Sequence, residues 1–273
     1  MATASPFSLL PNGPRWRWLR WIFRYLPILL FVLVWQGAVD LDIVDHEFLP
    51  SFTDTVKALW VMARDGEITL NLWVSTYRSL GGLAIGSVLG IAIGLAMATS
   101  RQADRFFAPL VATTYSLPKA SLVPLFILWF GIGDMTPMLT VVLACLLPVI
   151  VSTYQGVKAV PPILLWSARA MGTPRHAILR RILFPAALRS ILTGVRIALG
   201  FCFVLTISAE MIATKVGIGK LIFRYGESGA YAYMFGGLLA LVIVAYIADR
   251  GLIAGMAYLL RWDDAMHSGA GHE

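Results

Sequence analysis

The sequence predicts an all-α integral membrane protein with about six transmembrane helices. Three observations carry that expectation. The 273 residues are 58% hydrophobic and only 14% charged, with a mean hydropathy of +0.76, whereas soluble domains carry about a quarter charged residues. The apolar residues gather into runs of roughly 20, the length needed to cross a hydrocarbon core. The charges sit between those runs rather than within them.

Taken in order, the spans are expected near 22–39, 77–99, 111–131, 136–153, 190–212 and 234–256. The first follows Arg15, Arg17, Arg20 and Arg24 and lacks a small-residue cleavage site before Asp40, so it reads as an uncleaved span rather than a signal peptide. Between it and the second span, 51–66 reads as an amphipathic helix capped by Ser51 or Thr53. Val56, Leu59, Trp60 and Ala63 share a face, and the helix is expected to lie on the outer surface. The second span places Gly82, Gly86, Gly90 and Gly94 at four-residue intervals, a small-residue stripe that permits close helix approach. Intramolecular packing is the favoured use of that stripe over a subunit interface. The third span is interrupted by Pro118 and Pro124 and the fourth contains Pro148, interruptions that neighbouring helices or water make tolerable.

Basic residues set the orientation. Arg101 and Arg105 follow span two, and Lys158, Arg169, Arg175, Arg180, Arg181 and Arg189 follow span four; segment 40–76 is acidic. The bias puts both termini in the cytoplasm. The chain therefore divides into a cytoplasmic segment 1–21, a membrane domain 22–256 with a large cytoplasmic loop 154–189, and a cytoplasmic tail 257–273. The net charge of +7 is spread among these segments rather than arrayed in one stripe, which argues against nucleic acid and for membrane lipid as the surrounding partner. Cys145 and Cys202 fall inside apolar runs and read as core residues.

The loop 154–189 holds the most structured signal, WSARAMGTPRHAILRRILFP over 166–185. Pro161 and Pro162 open a short helix, and Gly172 is placed as its left-handed stop. Thr173 is expected to cap a second helix with Pro174 at its first position. Ile178, Leu179, Ile182 and Leu183 form that helix's apolar face, and Pro185 interrupts it. Ser167, Ala168 and Ala170 keep the first helix slim, which suits either entry into a groove on another protein or a membrane-surface elbow with no partner.

This segment resembles the cytoplasmic loop motif of ATP-binding-cassette (ABC) importer permeases: EAA, three residues, Gly, nine residues, then I-x-L-P. Ala168 matches the second alanine, Gly172 the glycine, Ile182 the isoleucine and Pro185 the proline. Trp166 stands where glutamate is usual, Ser167 replaces the first alanine and Phe184 the leucine. LVPLFILWFGIGDMTP (122–137), STYQGVKAVPP (152–162), LFPAALRSILTGVRIALG (183–200) and AEMIATKVGIGKLI (209–222) resemble the nitrate/sulfonate/taurine branch of these permeases.

The resemblance implies a type I importer permease fold in a bacterial inner membrane. It implies a second permease copy, cytoplasmic ATPase subunits that carry the ATP and Mg, and a periplasmic or lipid-anchored substrate-binding protein. The ATPase-coupling interface would comprise Trp166, Ser167, Ala168, Arg169, Met171, Gly172, Thr173, Arg175, Ile182 and Pro185. The cargo would be a small anion of the nitrate, sulfonate, taurine or carboxylate kind, and the chain itself would bind no cofactor and catalyse no reaction. The sequence agrees on the last point: the nearest approach to a Walker A loop is VGIGKL at 216–221, where Leu221 follows the lysine and Thr214 stands for the first glycine. The scattered histidines His46, His176, His267 and His272 form no metal-ligand pattern.

Four polar residues stand near or inside the fifth span. Glu210 is a carboxylate near its outer end and must be paired, protonated or wet. It either borders the translocation path or gate, or ties span five to its neighbours. Thr206 and Ser208 either line a cavity or bond back to the helix backbone. Arg196 either offers positive potential to an anion or is salt-bridged, and Asp249 and Arg250 read as interface anchors. A stand-alone secondary transporter is the alternative; it would show internal repeats and ion-coupling residues, and the sequence shows no long repeat.

Overall fold

The computed structural model describes residues 17–261, with side chains from Tyr25 onward. Every regular element among the described residues is helical: α1 (Arg17–Asp40), α2 (Phe52–Arg64), α3 (Glu67–Thr99), α4 (Arg101–Tyr115), α5 (Val123–Phe130), α6 (Met135–Lys158), α7 (Pro162–Ala170), α8 (Arg175–Ile178), α9 (Phe184–Ala213), α10 (Ile218–Glu227) and α11 (Tyr231–Leu259). Four stretches are long and apolar enough to cross a membrane: α3, α6, α8 through α9, and α11. The tail histidines and the cytoplasmic tail lie largely outside the described residues.

The expected third span, 111–131, is not a straight helix. The chain follows α4 to Tyr115, breaks, forms a short 3₁₀ turn at Lys119–Leu122, and resumes as α5, with a bend of 95°. Pro118 adopts an extended conformation (ψ 105°) that no helix continues through. Pro124 lies in the first turn of α5, where its missing N–H has no intrahelical acceptor to lose. Counted as one span, the pair brings the crossings to five, and the apolar stretch Tyr25–Asp40 of α1 adds a shorter helix.

The fifth expected span also differs. Helical backbone runs from Arg175 to Ala213 without interruption, 39 residues rather than 190–212. Pro185 does not break it. Leu179–Leu183 form a single π turn immediately before the proline, and the wider ring relieves the clash and the lost hydrogen bond that Pro185 brings to an α-helix.

The frame is a layer in which α6 lies between α3 and α9. The glycine stripe of α3 faces α6. A Cβ added at Gly82 would fall 2.7 Å from Val141 Cγ1, at Gly86 2.8 Å from the Val142 carbonyl oxygen, at Gly90 2.9 Å from the Leu146 oxygen, and at Gly94 2.7 Å from Thr153 Cβ. Backbone meets backbone along four turns, and dispersion between closely packed helices replaces the hydrophobic drive that lipid does not supply. From the same face of α6, Val141, Cys145 and Val149 join Ala198, Leu199, Cys202 and Phe203 of α9 in the main core.

α2 is capped by Ser51, whose hydroxyl accepts from the Asp54 N–H at 3.0 Å and donates to its carboxylate at 2.8 Å. That hydroxyl, then Lys57, hold the Asp54 carboxyl below the usual carboxylate range. The buried face of α2 is Thr55, Ala58 and Met62, not the expected Val56–Trp60–Ala63 stripe; Trp60 is 72% exposed. The face is set by α11, where Gly236 admits Met62 and the Thr55 backbone.

Gly90→Val should destabilise the protein by about 1–3 kcal/mol, the cost of overpacking a close contact. Gly255→Ala, on α11 with no atom within 4 Å of the added Cβ, should be neutral or mildly stabilising. Thermal unfolding of both variants in the same detergent measures the difference.

Candidate functional site

Two regions bring the sequence-marked residues together. The first surrounds Glu210, which is fully buried on α9. Its Oε1 accepts from Arg78 Nη1 at 2.6 Å, and its Oε2 from Ser75 Oγ at 2.6 Å and the Gly219 N–H at 3.0 Å. Ser75 Oγ in turn accepts the Ile218 N–H at 2.8 Å, and Asn71 Oδ1 accepts the Gly217 N–H at 2.8 Å. A charged acid in an apolar site is stable only when its lone pairs are filled in this way.

The sequence VGIG (216–219) is what lets the carboxylate be reached. Gly217 has φ +142°, and a Cβ there would lie 2.5 Å from Glu210 Cδ. At Gly219 a Cβ would meet the Ile207 carbonyl at 2.5 Å. The two glycines bring the first turn of α10 onto the acid, so its N-terminal N–H groups and partial positive charge face Glu210. The segment that mimicked a nucleotide loop in sequence is a carboxylate cradle.

Arg78 is the residue that sequence reading missed. It is 3% exposed, on α3. Besides Glu210 it donates to the Val216 carbonyl at 2.7 Å, and to Asp134 Oδ1 from Nε at 2.8 Å and Nη2 at 2.5 Å. One guanidinium thus joins α3, the α9–α10 corner and the turn before α6. The signal was the need of Glu210 for a cation; 132 residues separate the partners. A cleft of about 510 Å³ opens beside this cluster, walled by Trp73, Tyr77 and Ile132, with Arg78, Asp134 and Lys215 on its lining. Nearby, Glu67 accepts from Arg224 and Tyr225; burial, then the Glu67 carboxylate, push the Tyr225 phenol above its ordinary range.

The other span-five residues are structural in their contacts. Thr206 is buried, with its hydroxyl bonded to the Cys202 carbonyl at 2.8 Å and to Ser79 Oγ at 2.7 Å. Ser208 bonds back to the Val204 carbonyl at 2.9 Å. Arg196 grips Asp249 of α11 through Nε at 2.8 Å and Nη2 at 3.1 Å. All three make hydrogen bonds within the protein, and Arg196 stays half exposed.

The second region is the elbow. α7 ends with Met171 at its cap, and Gly172 takes φ +74°. The Thr173 N–H bonds the Ala168 carbonyl at 3.0 Å and the Gly172 N–H the Arg169 carbonyl at 2.9 Å, a Schellman-type closure. Thr173 does not cap the next helix. Pro174 occupies the cap position, with no side-chain bond to the helix, and α8 begins at Arg175. The extended backbone that a pre-proline residue prefers leaves Thr173 outside the helix.

Ala168 faces inward, 2% exposed, in a cluster with Val157 and Val160 from the end of α6 and Ile178, Leu183, Ala187 and Ile191 from α8 and α9. Ile182 and Pro185 are half-buried around it, and Thr173 likewise. Ser167, Arg169 and Arg175 are exposed. The outward face of α7 is therefore bulky rather than slim: Ile163 is 63% exposed, Trp166 63% and Met171 75%.

The sequence of residues 86–252 matches the family model described as binding-protein-dependent transport system inner membrane component. The chain is 31% identical over 251 residues to the putative aliphatic sulfonates transport permease protein SsuC of Escherichia coli K12, covering 91% of this chain and 95% of that one. It is 30% identical over 256 residues to the taurine transport system permease protein TauC of the same organism, covering 91% and 93%. Its fold is similar to a chain of the MetNI methionine ABC transporter, with TM-score 0.63 at 19% identity over 73% of this chain and 96% of that one. A chain of a bacterial alginate ABC transporter superposes with TM-score 0.55 at 15% identity, over 91% and 98%.

Arg78→Gln should cost about 3–5 kcal/mol, since it strands a buried carboxylate without its counter-charge. Adding Glu210→Gln to that variant should recover about 0.5–3 kcal/mol relative to the sum of the single losses. A double-mutant cycle on detergent-solubilised protein measures this coupling, and additive losses would show that the two residues are energetically independent.

Proposed function

The chain belongs to the family of binding-protein-dependent transport system inner membrane components, and from that premise we propose how it works as the permease subunit of an ABC importer. Two copies pair in a bacterial inner membrane, with both termini in the cytoplasm. Cytoplasmic ATPase subunits holding ATP and Mg bind the two elbows, and a substrate-binding protein, periplasmic or lipid-anchored, delivers a small anion from outside. The relatives named for sulfonates and taurine support an anionic cargo. The stand-alone secondary transporter gives way to this reading, because the family is defined by dependence on a binding protein.

The observation that carries the coupling role is the exposed ridge of Ile163 and Trp166, one turn apart on a helix whose other side, Ala168, is locked into the ends of α6 and α9. A partner that grips the ridge pulls on both long helices at once. ATP binding that favours the closed ATPase dimer shifts the permease between inward- and outward-facing states by the difference in its affinity for the two. Where relatives of this family keep a glutamate, Trp166 supplies apolar area in place of charge, the kind of residue that dominates interface energetics.

Trp166→Ala should weaken co-purification of the ATPase by about tenfold or more, the scale of a central aromatic anchor. Gly172→Val forces a β-branched residue into the left-handed region at a cost of about 1–2 kcal/mol or more, and should abolish coupled uptake. Quantitative pull-down from the native host's membranes measures both variants. Undiminished ATPase recovery with both would remove the elbow from the docking surface.

A further inference from the structure

The break between α4 and α5 holds a cation that the fold leaves without an anion. Lys119 is half-buried in the 3₁₀ turn at the bend. Its ammonium donates to the Tyr115 carbonyl at 2.8 Å and lies 5.6 Å from the centre of the Tyr115 ring. Among the described residues, no carboxylate comes within ion-pair distance of it.

Lys119 lines a cleft of about 240 Å³ whose walls are Tyr115, Ala144, Leu147, Ile197, Phe201 and Leu205. Those walls fix the depth of the site. Ala144 and Leu147 lie nine and twelve residues into α6, roughly 14–18 Å along a helix that is about 36 Å long. Ile197 to Leu205 occupy the middle of α9 in the same way. The ammonium therefore faces the middle layer of two long packed helices, where a charge without a counter-ion is costly and marks a path. Non-helical backbone at such a depth is stable where it is buried in protein or lines a water-filled cavity, and broken helices are where transporters place solute sites. A lipid headgroup sits at the membrane interface, too far from this layer to serve as the counter-ion.

We infer that Lys119 supplies the counter-charge for the cargo in transit, and that the cleft beside it takes a small organic anion, a sulfonate or carboxylate on an apolar body. The charged end meets the ammonium; the apolar body lies against Tyr115, Phe201 and the aliphatic walls. This rests on the importer reading above and refines its cargo to organic anions over inorganic ones. Arg196, which the sequence leaves open between serving an anion and forming a salt bridge, is paired with Asp249.

The test uses the complete transporter, permease with its ATPase and binding protein, in proteoliposomes, with radiolabelled butanesulfonate and benzoate as probes. Assembly is checked by ATPase co-purification. Lys119→Met should lower the initial uptake rate about tenfold or more, the loss of one charge-assisted contact, while Lys119→Arg retains most of it. Lys119→Cys should also be slow; treatment with an aminoethyl thiosulfonate should restore uptake, and the anionic sulfonatoethyl reagent should not. The native thiols are buried, and treated wild-type complex controls for them. Wild-type rates in Lys119→Met, or equal rates for the two adducts, would overturn the inference. If the wild-type complex moves neither probe while it moves nitrate, the organic cargo is overturned; if it moves no anion, the anionic cargo of the importer reading fails with it.

Discussion

A carboxylate withdrawn completely from water sets the terms for one end of this fold. Glu210 is tolerable only because Arg78, Ser75 and the Gly219 N–H converge on its two oxygens. Arg78 and Ser75 come from α3 and the Gly219 N–H from α10, so satisfying one acid fixes the relative positions of α3, α9 and α10. Arg78 extends the constraint to Asp134, at the start of α6. The long helices are thereby pinned at the end where α9 meets α10, and α11 is joined to α9 farther along by Arg196 and Asp249. A buried pair of this kind adds little net stability compared with apolar residues, but it is intolerant of misplacement, and misplacement is what a moving transporter must limit.

At the opposite end of α6 and α9 the constraint is apolar. Ala168 closes the cluster that joins α7 to both helices, and the π turn lets the chain pass Pro185 without a break. A force applied to α7 is then delivered along one continuous helix of 39 residues to the Glu210 cradle. The glycine contacts of α3 make the third member of the frame follow α6 with little slack, since backbone packed on backbone has no flexible side chain to absorb displacement.

The parts of this arrangement that were legible in the sequence are those with local causes. Gly172 and the prolines around it announce the elbow within a dozen residues, and the four-residue glycine spacing announces a close helix contact, although not its partner. What the sequence hid depends on three-dimensional juxtaposition. Arg78 reads as an ordinary arginine at the foot of a span until Glu210, 132 residues later, is folded against it. Ile163 and Trp166 stand outward on α7, which the small residues obscured: of Ser167, Ala168 and Ala170 only Ala168 packs on the helix's own scaffold. Pro118 was read as a tolerated interruption; its extended backbone turns the chain by 95°, which a span count based on hydropathy does not register.

That bend divides the molecule mechanically. None of the 15 residues of α4 is buried, while α3, α6 and α9 bury a continuous core. The arm formed by α4 and α5 packs on α3, α6 and α9, with Val123 against Ala209 and Ala213 of α9 and the Gly133 N–H on the Ala213 carbonyl. The cleft beside Lys119 lies between arm and frame, with Tyr115 at the end of α4 on one wall and α6 and α9 on the other. Among the described residues, that cleft joins a broken helix, a cation without an ion-pair partner and the boundary between the buried core and an arm whose α4 buries no residue.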